Sequence, residues 1–276
     1  MDLIEILKAI FLGIVEGITE WLPISSTGHM LLVDEFLTLN MSDSFKEMFF
    51  VVIQLGAILA VVVFFWKKMI PIQLEDRSKP LIKMHTISMW LKVVVACIPG
   101  AIVTLLFDDY IEAHLHTAPV IAAMLIVYGV AFIVIETWNK HQVPTVPRLE
   151  DITYRTAFII GLFQVLSIIP GTSRSGATIV GALLIGVSRV AAAEFTFFLA
   201  VPVMFGLSAI KLLKFGFSFT GAELLVLGAG TLVAFLTSVV VIKFLMGYIR
   251  KHDFKVFGWY RIILGIAVLA YFMLAR

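Results

Sequence analysis

Two of the eight long apolar segments in this sequence are interrupted at mid-length by polar residues, and this interruption constrains the fold most. The six uninterrupted segments are long enough to cross a hydrocarbon core as helices, which takes about 20 residues each. They cover 47–66, 87–107, 118–138, 190–213, 222–246 and 257–275. Because 61% of the residues are hydrophobic and 14% are charged, against about 25% charged in soluble domains, we predict an all-α polytopic membrane protein with six transmembrane helices. It would form a single membrane domain over residues 1–276.

The interrupted segments are residues 3–37 and 155–187. The first contains Pro23-Ile-Ser-Ser-Thr-Gly28-His29 and the second contains Pro170-Gly-Thr-Ser-Arg174-Ser-Gly176. Irregular backbone at membrane depth is tolerated only where it lines a cavity inside the protein. We therefore expect each segment to form a re-entrant helix hairpin, in which two half-helices meet at a polar tip near the middle of the membrane.

The basic residues of the connecting loops predict the orientation of the chain. Loops 67–83, 139–155 and 247–256 are rich in Lys and Arg, whereas 108–117 has three acidic residues and neither Lys nor Arg. Under the positive-inside rule the basic loops face the cytoplasm, and both termini lie outside. The basic residues concerned are Lys67, Lys68, Arg77, Lys79, Lys83, Lys140, Arg148, Arg155, Arg250, Lys251 and Lys255. The acidic ones are Asp108, Asp109 and Glu112.

The order of the segments predicts an inverted-topology repeat. Each half contains one hairpin followed by three spans, so the second unit is upside down relative to the first. The first repeat covers 1–140 and the second covers 150–276. Similar residues, Gly13-Ile-Val-Glu16 and Gly161-Leu-Phe-Gln164, precede the two interruptions. The hairpins would enter from opposite sides, and their tips would meet near the midplane.

Glu16 and Glu20 form a carboxylate pair on the first half-helix. They are four residues apart and therefore share one helix face. Such a pair is costly in a membrane unless it meets a cation, a proton or a hydrogen-bond donor. We expect it to bind Mg²⁺ or Ca²⁺ or to handle protons in a polar cavity. The alternative is a pair satisfied by neighbouring hydroxyls or by the wet outer surface.

The hydroxyl-rich tips predict an anion site. Serine and threonine favour the first positions of helices, so each tip should end at a helix N-terminus with unpaired N–H groups and a positive dipole end. Two such ends that face one point bind an anion, and Arg174 adds a guanidinium suited to phosphate oxygens. Interfacial snorkelling of Arg174 is the less favoured alternative, because apolar sequence extends to both sides. The predicted substrate-binding residues are Ser25, Thr27, Gly28, Thr172, Ser173, Arg174 and Ser175.

A serine and a histidine beside this anion site indicate phosphoryl-transfer chemistry. His29 lies three residues after Ser26, within one helical turn, although a histidine in a membrane helix can also be a structural hydrogen bonder. We assign Ser26 as the nucleophile and His29 as its proton-transfer partner. Attack by His29 itself, or by a water that it activates, remains an alternative. The predicted catalytic residues are Ser26, His29, Arg174 and Glu20.

At these residues the sequence resembles the undecaprenyl-diphosphatase family, also called bacitracin resistance proteins. The family's first signature resembles the stretch from Glu16 to His29, and its second resembles the stretch from Pro170 to Gly176. Val52-Ile-Gln-Leu-Gly56 and Glu194-Phe-Thr-Phe-Phe-Leu199 extend the resemblance along the chain. It implies hydrolysis of undecaprenyl diphosphate to undecaprenyl phosphate and inorganic phosphate, which recycles the lipid carrier of cell-wall synthesis and gives bacitracin resistance.

The same resemblance implies the surroundings of the protein. We expect a bacterial plasma membrane, a site that opens to the extracytoplasmic side, a divalent cation at the Glu16 and Glu20 pair, and bacitracin acting on the shared substrate rather than on the protein. The expected partners are undecaprenyl diphosphate and membrane lipid, with a homodimer as a further expectation. A net charge of +2 gives no reason to expect nucleic acid.

Two other classes of protein share features with this sequence. A polyprenyl-phosphate transporter or flippase is the main alternative, because inverted repeats with broken helices are a transporter architecture. Membrane lipid phosphatases of the acid-phosphatase superfamily have a Pro-Ser-Gly-His loop that superficially resembles Ser26-Thr-Gly-His29. They are rejected, because no His and Asp follow Arg174 at suitable spacing within the membrane.

Overall fold

The computed structural model describes residues 3–73 and 81–274, and most of these residues are helical. Within these ranges β-pairing is limited to two isolated bridges, Ile72 with Ile82 and Val146 with Val187. The α-helices in chain order are α1 (Leu3–Thr19), α2 (Ser26–Phe36), α3 (Asp43–Phe64), the one-turn α4 (Trp66–Met69), α5 (Met84–Leu115), α6 (Ala118–Trp138), α7 (Tyr154–Val165), α8 (Arg174–Leu184), α9 (Arg189–Phe215), α10 (Gly221–Tyr248) and α11 (Lys255–Leu274).

The six predicted spans correspond to the six helices α3, α5, α6, α9, α10 and α11, and the prediction of a multi-pass helical membrane protein is confirmed. Each of these helices is long and apolar enough to cross a membrane. Most boundaries differ by a few residues, but α5 continues to Leu115, so most of the predicted loop 108–117 is helical. Caps account for some of the differences. Ser42, for example, accepts a hydrogen bond from the Phe45 amide at 3.3 Å and starts α3 at Asp43, before the apolar stretch begins.

The two interrupted segments each form a pair of shorter helices, as predicted. α1 ends at Thr19 and α2 begins at Ser26, whereas α7 ends at Val165 and is followed by a 3₁₀ turn over Leu166–Ile168 before α8 begins at Arg174. Trp21, in the first interruption, packs edge-on against Phe197 of α9 with ring centroids 5.2 Å apart. Both belong to the largest apolar core of the molecule, so the interruption is packed inside the protein.

Close backbone contacts determine which helices pack together. A Cβ atom at Gly13 of α1 would lie 2.5 Å from the Gly230 carbonyl oxygen of α10, and one at Gly161 of α7 would collide with the Ala96 carbonyl of α5. Small residues allow such close approach of membrane helices. Each of the first half-helices, α1 and α7, therefore packs against a long helix of the other half of the chain.

Three of the segments that connect helices lie at one end of the bundle. The Arg189 guanidinium at the start of α9 binds Glu136 near the end of α6 at 2.6 Å, and Glu136 also accepts from the Phe254 amide at 3.0 Å. The Asn139 side chain donates to the Leu183 carbonyl at 2.9 Å. These contacts bring together the segments that carry Lys140, Arg148, Arg250, Lys251 and Lys255. Of the other charges used for the orientation, Arg77 and Lys79 lie outside the described residues, as do the side chains of Asp108, Asp109 and Glu112.

Candidate active site

Both interruptions end in the same local turn. Ser25 and Ser173 are the N-caps of α2 and α8, with φ of 73° and 70°. Their hydroxyls accept hydrogen bonds from the amides of Gly28 at 3.3 Å and of Gly176 at 3.2 Å. Among the described residues they are the only non-glycine residues with positive φ, a strained conformation that tends to occur at functional sites. The turn positions Ser26 and Arg174 as the first residues of their helices.

The carboxylate of Glu20 connects the two turns. Its Oε2 accepts from the Ser26 hydroxyl at 3.0 Å, and its Oε1 accepts from Arg174 Nη2 at 3.0 Å, across 154 residues of sequence. The Ser175 hydroxyl also donates to the Glu20 backbone carbonyl at 3.4 Å. Glu20 is buried, so this contact joins a hydroxyl, a carboxylate and a guanidinium inside the protein. The two interruptions therefore contact each other inside the protein.

Arg174 retains hydrogen-bonding capacity for a ligand. Its Nη1 donates to the Thr196 carbonyl at 3.0 Å, which holds one side of the guanidinium against α9. Its Nε is buried and has no hydrogen-bond partner within the described part of the chain. A buried donor without a partner is costly, and an anionic oxygen would satisfy it.

His29 has different partners from those that its spacing suggests. Its Nδ1 lies 2.7 Å from the Ser25 carbonyl oxygen, and its Nε2 lies 2.7 Å from the Tyr260 hydroxyl on α11. The Ser26 hydroxyl instead donates to Glu20. Ser26 therefore pairs with Glu20 and His29 pairs with Tyr260, although Ser26 and His29 lie on the same turn of α2.

Glu16 lies one turn before Glu20 and is buried, with 1% of its surface exposed. Its Oε1 has no hydrogen-bond partner among the residues the structure describes. A buried carboxylate oxygen without a hydrogen-bond partner is costly unless a proton or a cation neutralises its charge. Two carboxylates provide the oxygen ligands that Mg²⁺ and Ca²⁺ prefer. The described residues contain no group of three or more His, Cys, Asp or Glu side chains that could hold a metal ion, so other oxygens, such as those of water or substrate, would have to complete the coordination of such an ion.

Some of the other predicted binding residues form the capping turns, and others have hydroxyls that are available to a ligand. Ser25, Gly28 and Ser173 are engaged in the capping hydrogen bonds. Thr27 is exposed on the first turn of α2, and the buried Thr172 hydroxyl has no partner within the described ranges. Thr27 and Thr172 therefore have hydroxyls that a ligand could bind.

Arg261 is the residue that the sequence analysis missed. It is fully buried on α11 and donates to the Pro23 carbonyl at 3.1 Å and to the Gly171 and Thr172 carbonyls at 2.9 Å each. Its guanidinium also lies over the Tyr128 ring, 5.6 Å from the centroid. It therefore ties the two interruptions together. The signal was present, since one arginine stands inside the apolar segment 257–275 and charged residues in spans usually mark function.

Fold and site together define a class: a polytopic helical membrane protein with a buried cluster of polar and charged side chains where two helix N-termini meet. A family profile described as "Bacitracin resistance protein BacA" matches residues 9–267. The chain belongs to this family, as its signature motifs predicted.

Relatives of high identity cover the whole chain. A protein named undecaprenyl-diphosphatase from Enterococcus faecalis is 74% identical over 269 residues, which is 98% of each chain. Another of that name from Lachnoclostridium phytofermentans is 64% identical over 276 residues, or 100% of both chains. A third, from Streptococcus thermophilus, is 57% identical over 272 residues, or 98% of this chain and 94% of its own.

Proposed function

We propose that this protein is a membrane phosphatase that hydrolyses undecaprenyl diphosphate to undecaprenyl phosphate and inorganic phosphate. Its family and its full-length relatives, which are named undecaprenyl-diphosphatase, support this activity. The observation that carries the proposal is the buried Glu20, which binds the hydroxyl of Ser26 and the guanidinium of Arg174 at 3.0 Å each. A nucleophile, a proton acceptor and a phosphate-binding cation are thereby adjacent. The transporter alternative is not favoured.

The first chemical step follows from these contacts. Ser26 Oγ attacks the terminal phosphorus, its proton passes to Glu20 Oε2, and the bond to the bridging oxygen breaks so that undecaprenyl phosphate leaves. Protonation neutralises the carboxylate that pairs with Arg174. The guanidinium is then free to stabilise the charge that develops on the phosphoryl oxygens.

The second step hydrolyses the phosphoserine. A water attacks the phosphorus and gives one proton to His29, while Glu20 returns its proton to the Ser26 oxygen and inorganic phosphate leaves. His29 then releases its proton to solvent. This assignment keeps His29 as a proton-transfer group, and its hydrogen bonds to Ser25 and Tyr260 support a role outside the first step. The exposed Thr27 and the buried Thr172 would add hydrogen bonds to the phosphates.

A divalent cation is part of the proposal. Glu16, with its unpartnered oxygen, would hold Mg²⁺ or Ca²⁺ together with substrate oxygens. Glu20 would add a ligand oxygen in its ionised form, before it takes the Ser26 proton. Such an ion would neutralise part of the diphosphate charge, which is expensive in a region of low dielectric.

Release of inorganic phosphate tests the proposal. Purified protein in detergent should release phosphate from undecaprenyl diphosphate, and the Ser26→Ala variant serves as the matched control. Substrate that binds without phosphate release would refute the proposed hydrolase activity.

Excess chelator should stop turnover and added Mg²⁺ should restore it. The Glu16→Gln variant should need a higher metal concentration for half-maximal rate. Full activity in excess chelator would refute the proposed role of a divalent cation.

The finer architecture is also a proposal: two re-entrant hairpins in an inverted repeat. The shared serine turns support it, as does the swapped packing of α1 on α10 and of α7 on α5. The contact of α6 with α11 is reciprocal, since a Cβ at Gly129 would lie 2.7 Å from the Gly258 oxygen and a Cβ at Gly258 would lie 2.7 Å from the Gly129 oxygen. Such reciprocity is what a local two-fold relation between the halves produces.

The surroundings follow from the family and from the charges. The family resemblance supports a bacterial plasma membrane and a site that opens to the extracytoplasmic side. The basic residues gathered at one end of the bundle support termini outside. Bacitracin would act on the substrate and not on the protein. The predicted homodimer stays a prediction, which light scattering of the detergent-solubilised protein tests.

A further inference from the structure

The contacts of His29 define which of its nitrogens carries the proton. Nδ1 lies 2.7 Å from the Ser25 carbonyl oxygen, which can only accept a hydrogen bond. Nδ1 is therefore the protonated nitrogen of the neutral ring, and Nε2 carries a lone pair. The Tyr260 hydroxyl, 2.7 Å from Nε2, is the donor to that lone pair.

Tyr260 also holds the plane of the imidazole. The two rings are parallel within 4°, with centroids 5.6 Å apart. Tyr260 itself is 44% exposed, so burial of its ring does not require this orientation. Its neighbour Arg261 anchors α11 to the Pro23 carbonyl of the first interruption. The position of the phenol relative to His29 is thereby maintained by the same contact that joins the loops.

We propose that Tyr260 is a positioning residue for His29, an inference that rests on the proposed phosphatase function. Its hydroxyl selects the tautomer with the proton on Nδ1, and its ring orients the imidazole. His29 therefore meets the reaction with an unprotonated Nε2, the state needed to accept a proton from the attacking water. Until substrate and water enter, the phenol covers this nitrogen.

The Tyr260→Phe variant tests the proposal, because it retains the ring and removes the hydroxyl alone. We expect kcat to fall by about threefold to tenfold, the scale of one neutral hydrogen bond, with kcat/KM unchanged, since His29 acts in the second step, after undecaprenyl phosphate has left. Tyr271→Phe, on the same helix but in contact with Phe36, is the matched control and should keep the wild-type kcat.

A second readout does not depend on activity. Diethyl pyrocarbonate acylates the unprotonated imidazole nitrogen, so His29 should be modified faster in Tyr260→Phe than in the wild type. Mass spectrometry of the His29 peptide measures this rate, with the exposed His141 as the internal reference.

Both effects together support the proposal. A wild-type kcat in Tyr260→Phe, or an unchanged modification rate at His29, overturns it. Absence of phosphate release by the wild-type protein would instead refute the proposed function, and the modification rates would still show whether the hydroxyl covers Nε2.

Discussion

Arg174 begins α8 and binds two oxygen atoms that belong to different elements, Glu20 and the Thr196 carbonyl. A lysine would keep the charge but would present a single ammonium group in place of a planar fork. We expect Arg174→Lys to lose about 10²–10³ in kcat, the usual cost of one transition-state donor, and Arg174→Ala to lose more. Phosphate release at saturating substrate measures this, with the exposed Arg155→Lys as control. Near-normal turnover of the lysine variant would show that a point charge suffices.

Ser26 is the hydroxyl that donates to Glu20, so it is the residue on which a covalent phosphate should be found. Ser26→Ala should abolish turnover while the variant still binds substrate, because it removes the attacking oxygen and little else. Rapid quenching of the wild-type enzyme should trap acid-stable phosphoserine. Acid-labile phosphate on His29, or turnover by the alanine variant, would move the nucleophile away from Ser26.

At the scale of the elements, the two interruptions depend on one side chain from α11. Arg261 supplies donors to the carbonyls of Pro23, Gly171 and Thr172. A buried carbonyl left without a donor costs about 1–3 kcal/mol. Arg261→Lys, which cannot reach all three, should lower both the temperature of thermal unfolding in detergent and kcat. Arg250→Lys, at an exposed position, is the control. A wild-type unfolding temperature and turnover in the Arg261→Lys variant would contradict the proposal that Arg261 holds the two interruptions together.

At the scale of the whole molecule, the inverted repeat requires the loops to alternate between the two sides of the membrane. Cysteine can be placed singly at the exposed His141 and Ser218 after Cys97, the only native cysteine, is changed to serine. His141→Cys should react with an impermeant maleimide only after the cells are opened, and Ser218→Cys should react in intact cells. Labelling of both positions from one side would rule out the predicted orientation.

The sequence by itself determined the helices, their interruptions and much of the site, because these depend on local features. Span length follows from hydropathy, the start of α2 and of α8 follows from serine caps, and the shared face of Glu16 and Glu20 follows from helical spacing. The contact between the two interruptions was also expected, on the hypothesis of an inverted repeat, which stays a prediction.

Only the tertiary structure decided the partner of each site residue. His29 and Ser26 are close in sequence, yet His29 contacts Tyr260 and Ser26 contacts Glu20. The role of Arg261 depends on the packing of α11 against both interruptions. Arg261 is 238 residues from Pro23 and 90 residues from Gly171 in the sequence. A hydrogen bond forms only where the distance and angle between two groups in space are suitable. Helix packing sets those distances, and the spacing of residues along the chain does not reveal it.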